Sequence, residues 1–105
     1  MPAVYTTGVW RPNTGEEDGF VEEWAEFARW ASDMLGAGTV RLTRDLRDPG
    51  RFVSFARWES IEAVRAWKSS PEFKERMSRV QRHVDAFAPT ELELVASFER
   101  GAAAS

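Results

Sequence analysis

The fold is decided by the stretch Phe52-Val53-Ser54-Phe55-Ala56-Arg57-Trp58, which reads as one strand of this 105-residue chain. Phe52, Ala56 and Trp58 fall on one face of the predicted strand, and Val53 and Phe55 fall on the other. A strand that is apolar on both faces has to be covered twice. We expect helices of the same chain to cover one face and, in so short a chain, a second copy of the chain to cover the other.

Two helices are predicted end to end after this strand. Ser60 is a good N-cap for a short helix over residues 61–69. Pro71 prevents its continuation, because the residue before a proline avoids the α region, and begins a second helix at its first position. We expect this second helix to continue until Pro89 ends it, and residues 91–98 to form the last strand. The apolar stripe of this second helix is predicted to contain Phe73, Met77, Val80, Val84 and Phe87.

The first half of the chain predicts a strand, a helix and a hairpin. Residues 3–11 are rich in β-branched and aromatic side chains, which favour a strand. The capping-box spacing of Thr14–Glu17 predicts a helix that runs to about residue 35. A strand over residues 39–46 then leads through the tight turn Asp48-Pro49-Gly50 into the Phe52 strand.

The resulting order, β-α-β-β-α-β, predicts a ferredoxin-like α+β fold with a four-stranded antiparallel sheet. Residues 1–98 are expected to form a single domain, and residues 99–105 a mobile C-terminal tail. Helices cover one face of such a sheet, and the other face is apolar here in the third and fourth strands. We therefore expect a homodimeric α/β barrel, in which the two sheets face each other.

Composition excludes several classes of function. The chain has 14 basic and 17 acidic residues, a net charge of −3, so nothing favours binding to nucleic acid. It has no cysteine and one histidine, which argues against a metal site. No apolar run is long enough to cross a membrane, and no signal peptide is seen at the N-terminus. We expect a cytoplasmic protein that binds neither nucleic acid nor membranes.

The aromatic strand ending in Trp58, the capped helix carrying Trp67 and the sequence Ser70-Pro71-Glu72-Phe73 resemble the antibiotic biosynthesis monooxygenase family. That family belongs to the dimeric α/β-barrel superfamily, and the resemblance spans roughly residues 4–98. It implies a ligand cavity between the helices and the sheet of each protomer. It also implies a monooxygenase that uses dioxygen without a cofactor on a planar phenolic, quinol or polyketide substrate.

A haem-degrading side branch of the antibiotic biosynthesis monooxygenase family is a weaker match. The resemblance implies for that branch an Asn on the first strand, a Trp in the second helical region and a His on the next helix. Trp67 matches the Trp, but Met77 stands at the His position and the first strand has no Asn. Because the expected axial ligand is lost, haem degradation is disfavoured.

Two residues are the main candidates for chemistry. His83, the only histidine, is the only side chain whose ordinary pKa suits a general base near neutral pH. Such a base is needed because a phenol has to ionise before it can reduce dioxygen. The alternative is a half-exposed helix histidine. Trp67 is a candidate wall on which a planar substrate stacks, and the alternative is plain core packing.

Four further residues are candidates for substrate binding. Tyr5 and Thr7 share one face of the first strand and offer hydroxyls if that face lines the cavity, or structural polar groups if it faces a dimer partner. Met77 lies on the apolar stripe of the helix that Pro71 begins. Arg41 is a candidate for holding an anionic oxygen, with a surface or interface ion pair as the alternative.

A non-catalytic function is the alternative hypothesis. The candidate residues are few, and none has the spacing of a known catalytic motif, so the same scaffold would also suit a small-molecule-binding or interaction module.

Overall fold

A computed structural model describes residues 3–100 of the chain, and its element order is β-α-β-β-α-α-β. The predicted ferredoxin-like α+β fold is confirmed, with the second helical region divided in two at Pro71. The strands are β1 (Val4–Pro12), β2 (Ala37–Arg44), β3 (Phe52–Trp58) and β4 (Val84–Glu93). The helices are α1 (Glu17–Ser32), α2 (Ile61–Lys68) and α3 (Pro71–Gln81).

The four strands form one sheet in the order β2-β3-β1-β4, and every neighbouring pair is antiparallel. Strand β1 is central and pairs with β3 on one side and β4 on the other. Thr6, for example, lies opposite Ala56 on β3 and Glu91 on β4. Each half of the chain thus contributes one inner and one edge strand, which is the split βαβ arrangement.

The two faces of the sheet differ as the β3 pattern predicts. Phe52, Ala56 and Trp58 are buried beneath the helices, whereas Phe55 on the opposite face is 42% exposed. The same alternation places Thr6 on the helix-covered face of β1, where its hydroxyl accepts a hydrogen bond from Trp58 Nε1 at 3.1 Å. We call the opposite face, which carries Phe55, the outer face.

Large side chains from all three helices pack on the covered face of the sheet. Burial follows the helical period in α1, where every third or fourth residue is buried. The residues with the least exposure are Phe20, Trp58, Val64 and Val80. Ser60 caps α2 as predicted, since its hydroxyl accepts a hydrogen bond from the Ala63 amide at 3.1 Å.

The predicted end of the third helix is wrong. Helix α3 ends at Gln81, and β4 begins at Val84 and ends at Glu93, so the expected strand over residues 91–98 lies too late. Val84 and Phe87 belong to β4, where Phe87 stacks on Trp10 of the neighbouring strand with ring centroids 3.9 Å apart. Their spacing from Val80 imitates a helical stripe, but pairing with the whole of β1 decides the conformation.

The predicted limits of the first helix are also too wide. Glu16 is the N-cap residue, and its side chain accepts no hydrogen bond from the first turn of the helix. The helix ends at Ser32 instead of residue 35. The capping box of Thr14 and Glu17 does not form, because Gly15, at φ 86°, makes a turn between them. Residues 101–105 of the predicted C-terminal tail lie outside the described residues.

Candidate functional site

A cavity of about 220 Å³ lies between the helices and the sheet. It is larger than a single water site and is bordered mainly by apolar and aromatic side chains, which is the usual character of a small-molecule site. The helix side of its wall includes Trp24, Phe27, Ala31, Trp67, Phe73 and Met77. The sheet side includes Thr6, Gly8, Trp10, Ser54, Ala56 and Phe87.

Trp67, near the end of α2, is the most constrained side chain of this wall. Its ring centroid lies 4.7 Å from that of Trp58 and 4.9 Å from that of Phe73, which meets it edge-on at 85°. Phe27 of α1 packs on it at 5.8 Å. Contacts from three different elements fix the orientation of the indole, so the direction of its N–H bond is fixed as well.

The Nε1 atom of Trp67 has no hydrogen-bond partner among residues 3–100, although it is buried. The other two indoles that pack on the sheet are satisfied: Trp10 donates to Ser54 Oγ at 2.9 Å and Trp58 donates to Thr6 Oγ1 at 3.1 Å. A buried donor without a partner costs about 1–3 kcal/mol. An acceptor oxygen of a bound molecule would remove this cost, which makes Trp67 a candidate ligand contact.

Gly8 of β1 borders the cavity from the sheet side and has close neighbours on every adjacent strand. A Cβ atom at this position would lie 2.8 Å from the Phe87 ring, 2.9 Å from Trp10 Nε1 and 3.1 Å from Ser54 Oγ. Any side chain would therefore disturb both the stacked pair and the hydrogen bond beneath the cavity. Only glycine leaves this arrangement intact.

Lys68 is the only charged residue that borders the cavity within the described part of the chain. It follows Trp67 directly, and its Nζ donates a hydrogen bond of 2.6 Å to Glu91 Oε2 on β4. Its side chain is 34% exposed, so it lies where the cavity meets solvent.

The structure brings together only some of the residues predicted from the sequence. Those that border the cavity are Trp67, Met77 and Thr7. Tyr5 and Arg41 lie on the outer face: Tyr5 alternates with Thr6 along β1, and Arg41 pairs with Phe55 across β2 and β3. Thr7 borders the cavity from within β1, but its side chain alternates with that of Thr6 and so belongs to the outer face.

His83 lies outside the cavity, in the turn between α3 and β4. Its Nδ1 is 3.2 Å from Glu16 Oε1, and its carbonyl accepts a hydrogen bond from the Asn13 amide at 2.8 Å. The ring packs on Gly19 at the start of α1. In this position His83 joins the turn before β4 to the loop between β1 and α1.

Gly8 and Lys68 are the site residues that sequence reasoning missed. Gly8 interrupts a strand of larger residues, which is a signal of close approach by another group. Lys68 carries no comparable signal, because its partner Glu91 lies on β4, whose bounds the sequence does not reveal. Among residues 3–100, no group of three or more histidine or acidic side chains is placed to hold a metal ion. In the same range, no helix is long and apolar enough to cross a membrane.

Solved structures share this fold across nearly the whole chain. SnoaB, a cofactor-independent oxygenase from Streptomyces nogalater, superposes with a TM-score of 0.83 at 16% identity, covering 95% of this chain and 98% of that one. Rv0793 from Mycobacterium tuberculosis gives 0.80 at 16% identity, covering 92% and 99%. PA3566 from Pseudomonas aeruginosa gives 0.78 at 15% identity, covering 91% and 97%. At these identities the likeness establishes the fold.

The sequence itself establishes the family. No curated protein gives a significant match. The profile of the antibiotic biosynthesis monooxygenase family, however, matches residues 3–79, which include the first three strands, α1, α2 and most of α3. The chain therefore belongs to the antibiotic biosynthesis monooxygenase family, as its resemblance predicted.

Proposed function

We propose that the protein is a cofactor-independent monooxygenase whose substrate is a planar aromatic molecule bound in the cavity beside Trp67. The observation that carries this proposal is the unpartnered Nε1 of Trp67, a buried donor in the wall of an aromatic cavity. Flat apolar walls favour a flat apolar guest, and a carbonyl or phenolic oxygen on that guest would accept the free N–H. The fold shared with SnoaB, a cofactor-independent oxygenase, supports the same reaction class.

The chemistry requires no further reductant. A ring methylene activated by a neighbouring phenol or ketone loses a proton, and the resulting anion is electron-rich enough to reduce dioxygen. Oxidation of the methylene to a carbonyl releases four electrons, so one oxygen atom enters the product and the other leaves as water. The protein's part is to bind the ring, exclude bulk water and stabilise the anion.

We also propose that the working form is a two-fold dimer joined through the outer face. Phe55 is 42% exposed there and Leu92 48%, and both lie on strands adjacent to β1. Val9 lies between Val53 and Ala88 on the same face. Exposed apolar side chains on neighbouring strands of one sheet face favour association with an identical face.

Oxygen uptake tests the reaction. The protein is mixed with an anthrone, a naphthol and a hydroquinone, each measured against a protein-free control, and we expect at least one rate to exceed the background. Trp67→Phe should lower that rate, because it keeps a ring but removes the N–H. Background rates with every substrate would contradict the proposal.

The role of the base is tested in the same assay. Water is the expected proton acceptor, because His83 does not border the cavity and neither does any Asp or Glu of residues 3–100. We therefore expect His83→Gln to retain the rate within about twofold. A loss of about a hundredfold or more, the size of a general-base contribution, would instead assign the proton transfer to His83.

The absence of an acidic or histidine side chain from the described cavity wall also favours a second candidate, a non-catalytic binding module for the same class of molecule. Isothermal titration calorimetry separates the two. Saturable binding of an anthrone without oxygen consumption would identify a binding module.

A further inference from the structure

We infer that Lys68 is a specificity-determining residue that selects aromatic molecules with an anionic oxygen, either a phenolate or a ring carboxylate. This inference rests on the proposed function, since it takes the cavity beside Trp67 as the binding site. It adds the polarity of the ligand and the end of the cavity at which its charged group lies.

The wall of the cavity is nearly uncharged. Lys68 is its only ionised side chain within residues 3–100, and the rest of the wall is apolar or neutral. An anion that enters this cavity therefore finds one cation and, at the wall itself, no carboxylate. A ring bound against the apolar wall would displace water from one side of Lys68, which strengthens its ion pair with the ligand relative to a pair on an open surface.

An ion pair holds the cation beside Trp67. Lys68 directly follows Trp67 at the end of α2, and Glu91 holds its Nζ at 2.6 Å. Glu91 lies opposite Thr6 in the β1–β4 pairing, and Thr6 borders the cavity. The ion pair thus joins the end of α2 to the strand beside the cavity, at its solvent-exposed end.

The ion pair between Lys68 and Glu91 is weak when no ligand is bound. Both side chains are partly exposed, 34% for Lys68 and 42% for Glu91, so the pair contributes little to stability. A ligand oxygen can then compete with Glu91 for Lys68 at small cost. Glu91 sets the strength of this competition, because a ligand oxygen has to displace its carboxylate from Lys68.

Calorimetry with 2-naphthoate and 2-naphthamide tests the inference, because the two ligands share shape and differ in charge. We expect the wild-type protein to bind the carboxylate roughly tenfold more tightly than the amide, the size of one charge-assisted hydrogen bond. Glu91→Gln should increase the preference, because it removes the competing carboxylate. The double variant Lys68→Met/Glu91→Gln should abolish it while keeping the charge of this pair at zero.

Lys74→Met is the matched control. Lys74 lies on α3, is exposed and does not border the cavity, so this variant removes a lysine, as the double variant does, without changing the wall. We expect it to keep the preference for the carboxylate. Equal affinity of the wild-type protein for both ligands, or a preference that survives in the double variant, would overturn the role of Lys68 and leave the proposed cavity function intact. Failure of both ligands to bind would overturn the cavity function itself.

A phenolate probe separates the two kinds of anionic oxygen. The absorption spectrum of 2-naphthol distinguishes its neutral and ionised forms, so titration in the presence of saturating protein reports the pKa of the bound phenol. We expect the wild-type protein to lower that pKa and the double variant to lower it less. An unchanged pKa together with a retained naphthoate preference would restrict the site to carboxylates.

Discussion

The rings of Trp58 and Trp67 lie 4.7 Å apart between centroids, yet only Trp58 has a partner for its indole nitrogen. Trp58 Nε1 donates to Thr6 Oγ1, whereas Trp67 Nε1 has no acceptor among residues 3–100. The two side chains are similarly buried, at 0% and 5% exposure. The pair therefore offers an internal comparison of a satisfied and an unsatisfied donor in one aromatic cluster.

Replacing each indole in turn should give different losses of stability. Both Trp58→Phe and Trp67→Phe remove ring volume, but only Trp58→Phe breaks a hydrogen bond and leaves the Thr6 hydroxyl without its donor. We expect Trp58→Phe to lower the free energy of unfolding by about 1–2 kcal/mol more than Trp67→Phe. Urea denaturation measures both values. An equal loss of stability would show that another group accepts a hydrogen bond from Trp67 Nε1 in solution.

Gly8→Ala should destabilise the sheet beneath the cavity. The new Cβ would lie 2.8 Å from the Phe87 ring, and the backbone of a central strand cannot move away easily. We expect a loss of about 1–3 kcal/mol in the free energy of unfolding, together with weaker binding of naphthalene-sized ligands. Gly50→Ala is the control, because its Cβ would only meet Asp48 Oδ1 at 3.7 Å. A Gly8→Ala protein as stable as the control would contradict the packing described here.

Phe55→Glu should dissociate the proposed dimer, because it places a charge in the centre of the outer face. Sedimentation velocity at micromolar concentration should show a dimer for the wild-type protein and a monomer for the variant. Leu46→Glu is the matched control: Leu46 is 99% exposed in the turn between β2 and β3, and its replacement should leave the dimer intact. A wild-type monomer would remove the dimer from this account.

Acid should weaken the contact between the β2–β3 turn and β1. A hydrogen bond from Arg11 at 2.7 Å lowers the pKa of Asp48 below its ordinary value, so folding favours its carboxylate. This contribution is present above the unfolded pKa, near 4, and disappears as the pH falls through the lower folded pKa. We expect Asp48→Asn to lower the urea midpoint at pH about 7 and to lower it less at pH about 3. The same difference at both pH values would contradict this assignment.

The fold was predictable because its strongest signals are local. The alternation of Phe52, Ala56 and Trp58 against Val53 and Phe55 fixes the two faces of β3, and the structure buries the first set. Ser60 caps α2 through its hydroxyl, and Pro71 begins α3, as their side-chain chemistry requires. Each of these features depends on residues within a few positions of one another, which is why the sequence alone reveals them.

The site was less predictable because it depends on long-range pairing. Val84 and Phe87 continue the apolar spacing of α3, and only their pairing with β1 makes them a strand. The same error extended the helix past His83, which instead lies in a turn beside Glu16. It also concealed Lys68, whose partner Glu91 lies on the misplaced strand. Trp67, by contrast, was found through the family resemblance and lies in the cavity wall.

The proposed function requires dioxygen to be the oxygen donor in a reaction that needs no metal or organic cofactor. Mass spectrometry of the product formed by chelator-treated protein under ¹⁸O₂ tests it most directly. We expect one ¹⁸O atom to enter the oxidised aromatic product and Trp67→Phe to lower its yield. A product that carries only oxygen from water, or turnover that requires an added metal or flavin, would contradict the proposed function.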